Sequence, residues 1–304
     1  MMKKALIVGG SGTIGSAFIK EFSDRYEFTS IARNELMQAE LKRRHPNVDI
    51  YFSDIESEES LITIFSKVKP NVVIHMAAMK HVNLAEENPI NACRVNVLGS
   101  LNVISASVKT GVPMTIAIST DKACFPENVY GYSKSLMEHC FLDANTETNK
   151  FAVCRFANVA NTNGSVIPFW LSEKEKNKPL KLTNKDMNRL MFSQKSAVNL
   201  INKSIDYCEK NGGGFIASTF MKSVNMYDLA NVISDNIEVV GLRPGERLDE
   251  KLISEKELSF TYIEDDLIIL KKELNLGKNK LNDEYSSQTA DKMNNEEMLE
   301  LVRG

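Results

Sequence analysis

The stretch Ala5-Leu6-Ile7-Val8-Gly9-Gly10-Ser11-Gly12-Thr13-Ile14-Gly15 decides the fold. Four apolar residues run without alternation into a glycine-rich turn, and Ile14 to Phe22 follows with helical spacing. An unbroken apolar run is what a parallel strand covered on both faces carries. Gly9, Gly12 and Gly15 form GxxGxxG at this strand-to-helix junction. Glycine there permits the tight turn and lets a pyrophosphate approach the backbone at the helix N-terminus. Ser11, Thr13 and Ile14 complete the candidate phosphate cradle.

The same rhythm continues outward. Phe28 to Ala32, Val48 to Phe52, Val72 to Ala77, Pro113 to Ser119 and Phe151 to Phe156 read as strands. Between them lie helical stretches, among them one opened by Ser57, one from Asn91 to Lys109, and one from Tyr130 to Ala144. Such alternation predicts an α/β, Rossmann-type doubly wound parallel sheet with right-handed crossovers. After about Asn158 the rhythm breaks, and the segment from Met221 onward reads as helix and loop. The expected organisation is a nucleotide-binding domain over 1–160, with a returning sheet segment near 197–218. A smaller, discontinuous substrate-binding portion would comprise 161–196 and 219–304.

Composition narrows the function classes. The 304 residues are 43% hydrophobic and 25% charged, enough for a sizeable core. A formal charge of -3 gives no basic bias of the kind that draws nucleic acid or anionic membrane. Cys93, Cys124, Cys140, Cys154 and Cys208 are scattered, without a CxxC pair, which reads as buried thiols in a reducing cytoplasm and no metal cluster. The apolar run after Lys3-Lys4 is too short for a signal core or a bilayer span, so a soluble cytoplasmic protein is expected.

Two further positions speak of cofactor. NAD-specific sites tend to carry an acid at the end of the second strand, whereas an arginine accommodates the extra phosphate of NADP. Here the strand ends Ala32-Arg33-Asn34, which favours NADP; Asp54, after the third strand, is placed to meet the adenine edge, or else caps a helix. Tyr130 and Lys134 form YxxxK, one helical turn apart on one face. A phenol ionises near ~10, and a nearby ammonium lowers that value by favouring the phenolate. Such a tyrosine takes a proton from a sugar hydroxyl while hydride leaves for a nicotinamide.

The combination of GxxGxxG and YxxxK resembles the extended short-chain dehydrogenase/reductase superfamily. Ser119-Thr120-Asp121-Lys122-Ala123 and Pro126-Glu127-Asn128-Val129-Tyr130-Gly131-Tyr132-Ser133-Lys134 narrow the likeness to its polysaccharide-biosynthesis group, including the inverting UDP-N-acetylglucosamine 4,6-dehydratases. Ala77 to Val82, Arg155 to Val159, Asn163 to Phe169, Lys185 to Arg189, Gly241 to Glu246 and Glu284 to Ser287 extend it nearly end to end. Three features depart from the pattern: Val8 replaces a threonine, Asn34 replaces an acid, and the loop Val159 to Thr162 differs; the tyrosine, where membrane-bound relatives carry methionine, implies the soluble, tyrosine-bearing branch.

The resemblance implies roles. Asp121 and Lys122 supply an acid and a base in either order, with Thr120 on the sugar or tyrosine side; dTDP-glucose dehydratases are typified by Asp-Glu here, and 4-epimerases by a small hydroxyl residue. A lysine base needs its pKa lowered, which burial or neighbouring Lys134 would do. Ile55, Ala77, Ala78, Lys80, Asn96 and Val159 join the cofactor set, with Lys80 also within reach of the sugar. Asn158, Val166, Ile167, Arg189, Arg243 and Glu246 form the substrate set, arginine being suited to phosphate; for Arg189 a plain salt bridge is an equal alternative. A UDP-sugar is the implied small-molecule partner, NADP stays bound through a redox-neutral cycle, and a homo-oligomer is expected. A 4-epimerase or 4-reductase and a catalytically silent NADP sensor are the competing readings.

Overall fold

The computed structural model describes residues 2–272 and 279–304. Its first half runs β1 (Lys3–Val8), α1 (Thr13–Glu21), β2 (Tyr26–Ala32), α2 (Glu35–Arg44), β3 (Asp49–Phe52), α3 (Glu58–Val68) and β4 (Val72–His75). It continues with α4 (Val82–Glu87), α5 (Pro89–Cys93), α6 (Gly99–Lys109), β5 (Met114–Thr120), α7 (Val129–Asp143) and β6 (Lys150–Phe156). The second half holds β7 (Asn158–Val159), α8 (Val166–Glu175), β8 (Leu180–Leu182), β9 (Asn188–Phe192), α9 (Gln194–Asn211), β10 (Phe215–Thr219), β11 (Lys222–Asn225) and α10 (Met226–Ile233). After these come β12 (Ile237–Val239), β13 (Lys251–Ile253), β14 (Thr261–Glu264), β15 (Leu267–Lys271), β16 (Tyr285–Ser286) and α11 (Asn295–Arg303).

The main sheet is ordered β14-β15-β10-β6-β5-β4-β1-β2-β3. From β3 to β10 every pairing is parallel, whereas β15 and β14 are antiparallel additions. Side-chain alternation along β1 explains the continuous apolar run. Ala5 and Ile7 point into one buried cluster with Phe18 of α1 and Ile201 of α9. Leu6 and Val8 point into the other, with Phe65 of α3 and Val103 of α6. Both faces are covered, so a polar residue on either would be buried. The chain reverses direction across the sheet at β1, between β2 and β4, and the carboxyl ends of strands at such a switch point form the ligand crevice.

Beyond β6 a smaller layer forms around Trp170, Leu182, Met191, Leu229 and Met298, built from α8, α10, α11 and the sheet β11-β9-β7. The segment from Met221 onward is not the helix and loop expected. Thr261 to Lys271, placed by sequence in the substrate portion, is a hairpin that extends the main sheet. Its turn is Asp265-Asp266, both with positive φ (49° and 63°), the hand that matches strand twist. Asp-Asp lacks the glycine that marks such turns, so the sequence carries no hairpin signal here. The helix expected from Asn91 to Lys109 starts at Pro89 and carries a π turn over Arg94–Leu98.

Candidate active site

The glycine turn is shaped by close approach. Gly9 has φ +92°, and a Cβ on it would lie 2.9 Å from the Ala77 backbone nitrogen. A Cβ on Gly15 would lie 2.5 Å from the Gly10 carbonyl oxygen, and one on Gly10 would lie 2.6 Å from Ser30 Oγ. Gly10 was therefore a structural glycine that the GxxGxxG spacing did not single out. Gly12 is the N-cap of α1 and offers no side-chain cap, so the first-turn amides at Thr13, Ile14 and Gly15 face outward as an anion site. Ser11 is buried against this turn.

Further along the crevice, Arg33 leaves the end of β2 with its guanidinium 69% exposed, 3.5 Å from Asp54 Oδ2. Asp54 Oδ1 accepts from the Glu56 amide, and Ile55 is buried beneath Gly99. Asn34 is spent as the N-cap of α2, accepting from the Met37 amide at 3.0 Å. Asn96 sits in the π turn, a device common at functional sites. Its side chain accepts from the Met79 amide and donates to Met79 O and Ser133 Oγ, tying the loop of Ala77, Ala78 and Lys80 to α7. Lys80 Nζ donates to Asn163 O at 2.8 Å, and the Asn163 amide donates to Thr13 Oγ1, so the loop after the half-buried Val159 reaches the glycine turn.

The chemistry-bearing groups gather where β5 ends. Asp121–Ala123 is a single tight turn, and Asn128 caps α7 by accepting from the Gly131 amide. The Asp121 carboxylate is 1% exposed; its Oδ1 accepts from Thr120 Oγ1 (2.8 Å), the Lys122 amide (2.8 Å) and Lys122 Nζ (3.1 Å). Its Oδ2 is buried and has no hydrogen-bond partner among the described residues. Lys122 Nζ is also 3.4 Å from Glu250 Oε1. Burial works to discharge Lys122, but Asp121 and Glu250 outweigh it and hold its pKa above the ordinary lysine value. The lowering that a Lys122 base would require is thus opposed, because a second carboxylate arrives from a distant part of the chain.

Tyr130 shows a reversal. Burial pushes its phenol up to about 12, and the opposing cation is Lys122 rather than Lys134. The Thr120 side chain beside the phenol works in the same direction as Lys122 and favours its ionised form. Lys134, one turn further, is 2% exposed, and its Nζ meets the Met137 sulfur at 3.0 Å. Burial lowers its pKa to about 8, with Glu138 working against the fall. His75 is a core residue, bonded to Ser100 Oγ and stacked on Phe141, and burial drives it down to about 3.

The substrate set is more dispersed. Asn158 Nδ2 donates to Leu190 O, which fixes β7 beside β9. Val166 and Ile167 open α8, Ile167 fully buried. Arg189 makes no salt bridge among the described residues: its guanidinium donates to the carbonyls of Asn188, Leu248 and Arg247 and braces the loop that follows Arg243. Arg243 is half exposed, 4.0 Å from Glu246, whose carboxylate also accepts the Arg243 amide. Two partners in this loop escaped the sequence reading. Arg247 pairs with Glu127 and lies over the Phe125 ring, and Glu250 contacts Lys122. Both sit in the charged run Arg247 to Lys251, which reads as a solvated face; the one hint was the apolar pair Leu252-Ile253 directly behind it. Among the described residues no cluster of His, Cys, Asp and Glu is able to hold a metal.

A family model described as "Polysaccharide biosynthesis protein" matches residues 5–272. The chain belongs to this family. Among its relatives is the Campylobacter jejuni "UDP-N-acetylglucosamine 4,6-dehydratase (inverting)", 35% identical over 86% of this chain and 80% of the relative. The Rickettsia canadensis "UDP-glucose 4-epimerase" is 29% identical over 99% of this chain and 95% of the relative. Among solved structures, that of Pen from Bacillus thuringiensis superposes with a TM-score of 0.91 at 27% identity, covering 99% of this chain and 97% of that one. This family within the extended short-chain dehydrogenase/reductases thus contains relatives with both names.

Proposed function

We propose that the protein catalyses NADP-dependent, redox-neutral 4,6-dehydration of a UDP-N-acetylhexosamine, UDP-N-acetylglucosamine first among them, with inversion at carbon 5. The observation that carries the reading is the buried Asp121–Lys122 ion pair at the end of β5, beside Tyr130. An epimerase acting only at carbon 4 has no use for a second acid–base pair, whereas elimination of water requires one. The name of the Campylobacter relative supports the same substrate.

The glycine turn fits a dinucleotide: a cradle that a Cβ would fill at Gly9 and Gly15, beneath open helix amides. Gly9, Ser11, Gly12, Thr13, Ile14 and Gly15 would hold the diphosphate, Arg33 the extra phosphate of NADP, and Asp54 with Ile55 the adenine side. A bound nicotinamide supplies a reversible hydride acceptor. Tyr130, in the phenolate form that Lys122 and Thr120 favour against burial, would take the proton of the carbon 4 hydroxyl as that carbon is oxidised to a ketone. The ketone acidifies the proton at carbon 5. The Asp121–Lys122 pair, which starts as carboxylate and ammonium, contains one group to accept that proton and one to donate to the departing carbon 6 hydroxyl. With the hydride that a bound nicotinamide would return at carbon 6 and a proton delivered at carbon 5, the sugar would be short of one water with no net redox change. Lys80, Asn158, Val166, Ile167, Arg189, Arg243 and Glu246 would line the UDP-sugar side.

Residues 1–160 and 197–218 would form the cofactor domain, joined by the hairpin 261–271, and the rest the substrate portion. We also assign a homo-oligomer formed through α6 and α7, whose Leu101, Val108, Tyr132 and Leu136 are 40% exposed or more. No helix among the described residues is long and apolar enough to cross a membrane, and the five free thiols suit a reducing cytoplasm, although only Cys154 and Cys208 are buried as expected and Cys93 is exposed.

Incubation with UDP-N-acetylglucosamine in deuterated water tests the reading. Loss of one water with deuterium at carbon 5 and altered ring couplings is the expected result. A product of unchanged mass would mean epimerisation, the alternative favoured by the Rickettsia relative's name, and accumulation of free NADPH would overturn the redox-neutral cycle.

A further inference from the structure

Groups from four elements face the Lys122 ammonium: Asp121 of its own turn, Tyr130 of α7, Arg189 of β9, and Glu250 just ahead of β13. Glu250 is the one whose presence nothing in the Asp121–Lys122 motif requires. Its side chain is 5% exposed, and a carboxylate is rarely withdrawn from water unless it is paired. Among the described residues its ion-pair partner is Lys122. Its backbone is held from both sides by one residue: the Glu250 amide donates to Ser287 Oγ at 3.0 Å, and the Ser287 amide donates to Glu250 O at 2.9 Å. Ser287 Oγ donates in turn to Asp249 Oδ1, and Ser223 Oγ donates to Ser287 O. The pairing of β13 with β16 runs through Lys251 and Ser286, next to both. The Glu284 to Ser287 stretch, noted in the sequence without a role, is the clamp that delivers this carboxylate.

We propose that Glu250 is a positioning residue for the Asp121–Lys122 pair: fixed by Ser287, its carboxylate holds the Lys122 ammonium in register with Asp121, and so makes the pair's chemistry depend on docking of the carboxy-terminal segment. Lys122 is balanced between opposing influences. Burial and the Arg189 cation work to discharge it, while Asp121 and Glu250 work to keep it charged. Removing the Glu250 charge leaves one carboxylate against both. The lysine then loses its proton at lower pH and loses one of its two anchors.

The inference rests on the dehydratase reading for its kinetic arm only, and the test separates the two. In the full-length protein carrying 13Cε-lysine, the Lys122 signal is identified by its loss in Lys122→Arg and titrated in the wild type, Glu250→Gln and Glu250→Asp. The expected midpoint is lower in Glu250→Gln than in the wild type, with Glu250→Asp between them. An unmoved midpoint overturns the proposal, and Glu250→Asp decides it should Glu250→Gln not fold. With UDP-N-acetylglucosamine, kcat for water elimination is expected to fall about 100-fold in Glu250→Gln, the scale of a catalytic group misplaced by about 1 Å. KM should change little, and Glu250→Asp should restore part of the rate. Unchanged kcat, or a loss of thermal stability with both readouts unmoved, overturns the proposal. A wild type that eliminates water from no UDP-sugar refutes the dehydratase reading, and the titration still decides the role of Glu250.

Discussion

Replacing Arg155 by methionine tests what holds the catalytic turn in place from behind. Arg155 is 2% exposed on β6; its Nε and Nη2 donate to the two oxygens of Glu138 at 3.0 and 2.7 Å, its Nη2 lies 2.9 Å from Glu257, and its Nη1 donates to Leu252 O. Glu138 belongs to the same helix face as Tyr130 and Lys134, and Glu257 also accepts from the thiol of Cys124, directly after the Asp121–Ala123 turn. One guanidinium therefore serves two carboxylates, Glu138 buried and Glu257 partly buried. Methionine fills much of the volume but leaves both acids without their cation, and breaking a buried pair in this way costs about 3–5 kcal/mol. The sign with pH follows from Glu257. Burial alone would raise its pKa, but Arg155 and the bonds from Ser254 and Cys124 outweigh burial and hold it below the usual carboxylate range. In the wild type that contribution is present above the ordinary glutamate value near ~4.3 and fades as pH falls below it. In the variant burial is opposed only by the bonds from Ser254 and Cys124, without the larger contribution of Arg155, so the penalty grows as pH rises. The difference in urea unfolding free energy between the two should be largest near neutrality and shrink toward about pH 4. Adding Glu138→Gln and Glu257→Gln should recover most of the loss. A neutral-pH difference under about 1 kcal/mol, or one that stays flat with pH, would refute the charge argument.

Three other outcomes are expected. Gly9→Ala forces a side chain into φ +92° and within 2.9 Å of the Ala77 nitrogen, so dinucleotide binding measured by calorimetry should weaken at least tenfold. Arg33→Glu should shift preference from NADP toward NAD by more than tenfold in the ratio of dissociation constants, while the melting temperature moves little, because the guanidinium is mostly solvated. Lys134→Met should abolish turnover yet stabilise the fold below pH 8, by on the order of 3 kcal/mol at neutral pH, read from denaturant unfolding.

The parallel half of the sheet was legible because its strands are buried on both faces and carry that fact as unbroken apolar runs. The glycine turn and YxxxK were legible because their spacing is local: three glycines in one turn, two side chains on one helix face. What escaped were consequences of long-range contact. The hairpin at Asp265-Asp266 looks like a charged loop until β10 supplies its edge. Glu250 lies in a run of charges that, taken alone, describes a wet surface. Arg189 offered phosphate or salt bridge from sequence, and is instead a brace for three carbonyls, a use that no composition rule distinguishes. Lys122 is the sharpest case. From sequence a base role would require it to be less basic, yet a carboxylate brought by the carboxy-terminal segment makes it more so.

The two site lysines show how environment divides roles between chemically identical groups. Both are buried, and burial alone would lower both. Lys122 has two carboxylates and keeps its proton; Lys134 has Glu138 at a distance and a thioether, and its pKa falls to about 8. Lys134 therefore carries a folding penalty rather than a gain. Between pH 8 and the ordinary lysine value the unfolded chain binds a proton that the folded chain does not, so stability rises with pH across that window. Below it the protein is folded around a charged lysine in an apolar setting. Such a cost persists where a site needs a cation that is not already committed to a neighbour, free to bind an incoming hydroxyl. If Lys134→Met failed to gain stability at neutral pH, the lysine would have a partner strong enough to satisfy it, and its place beside Tyr130 would be structural.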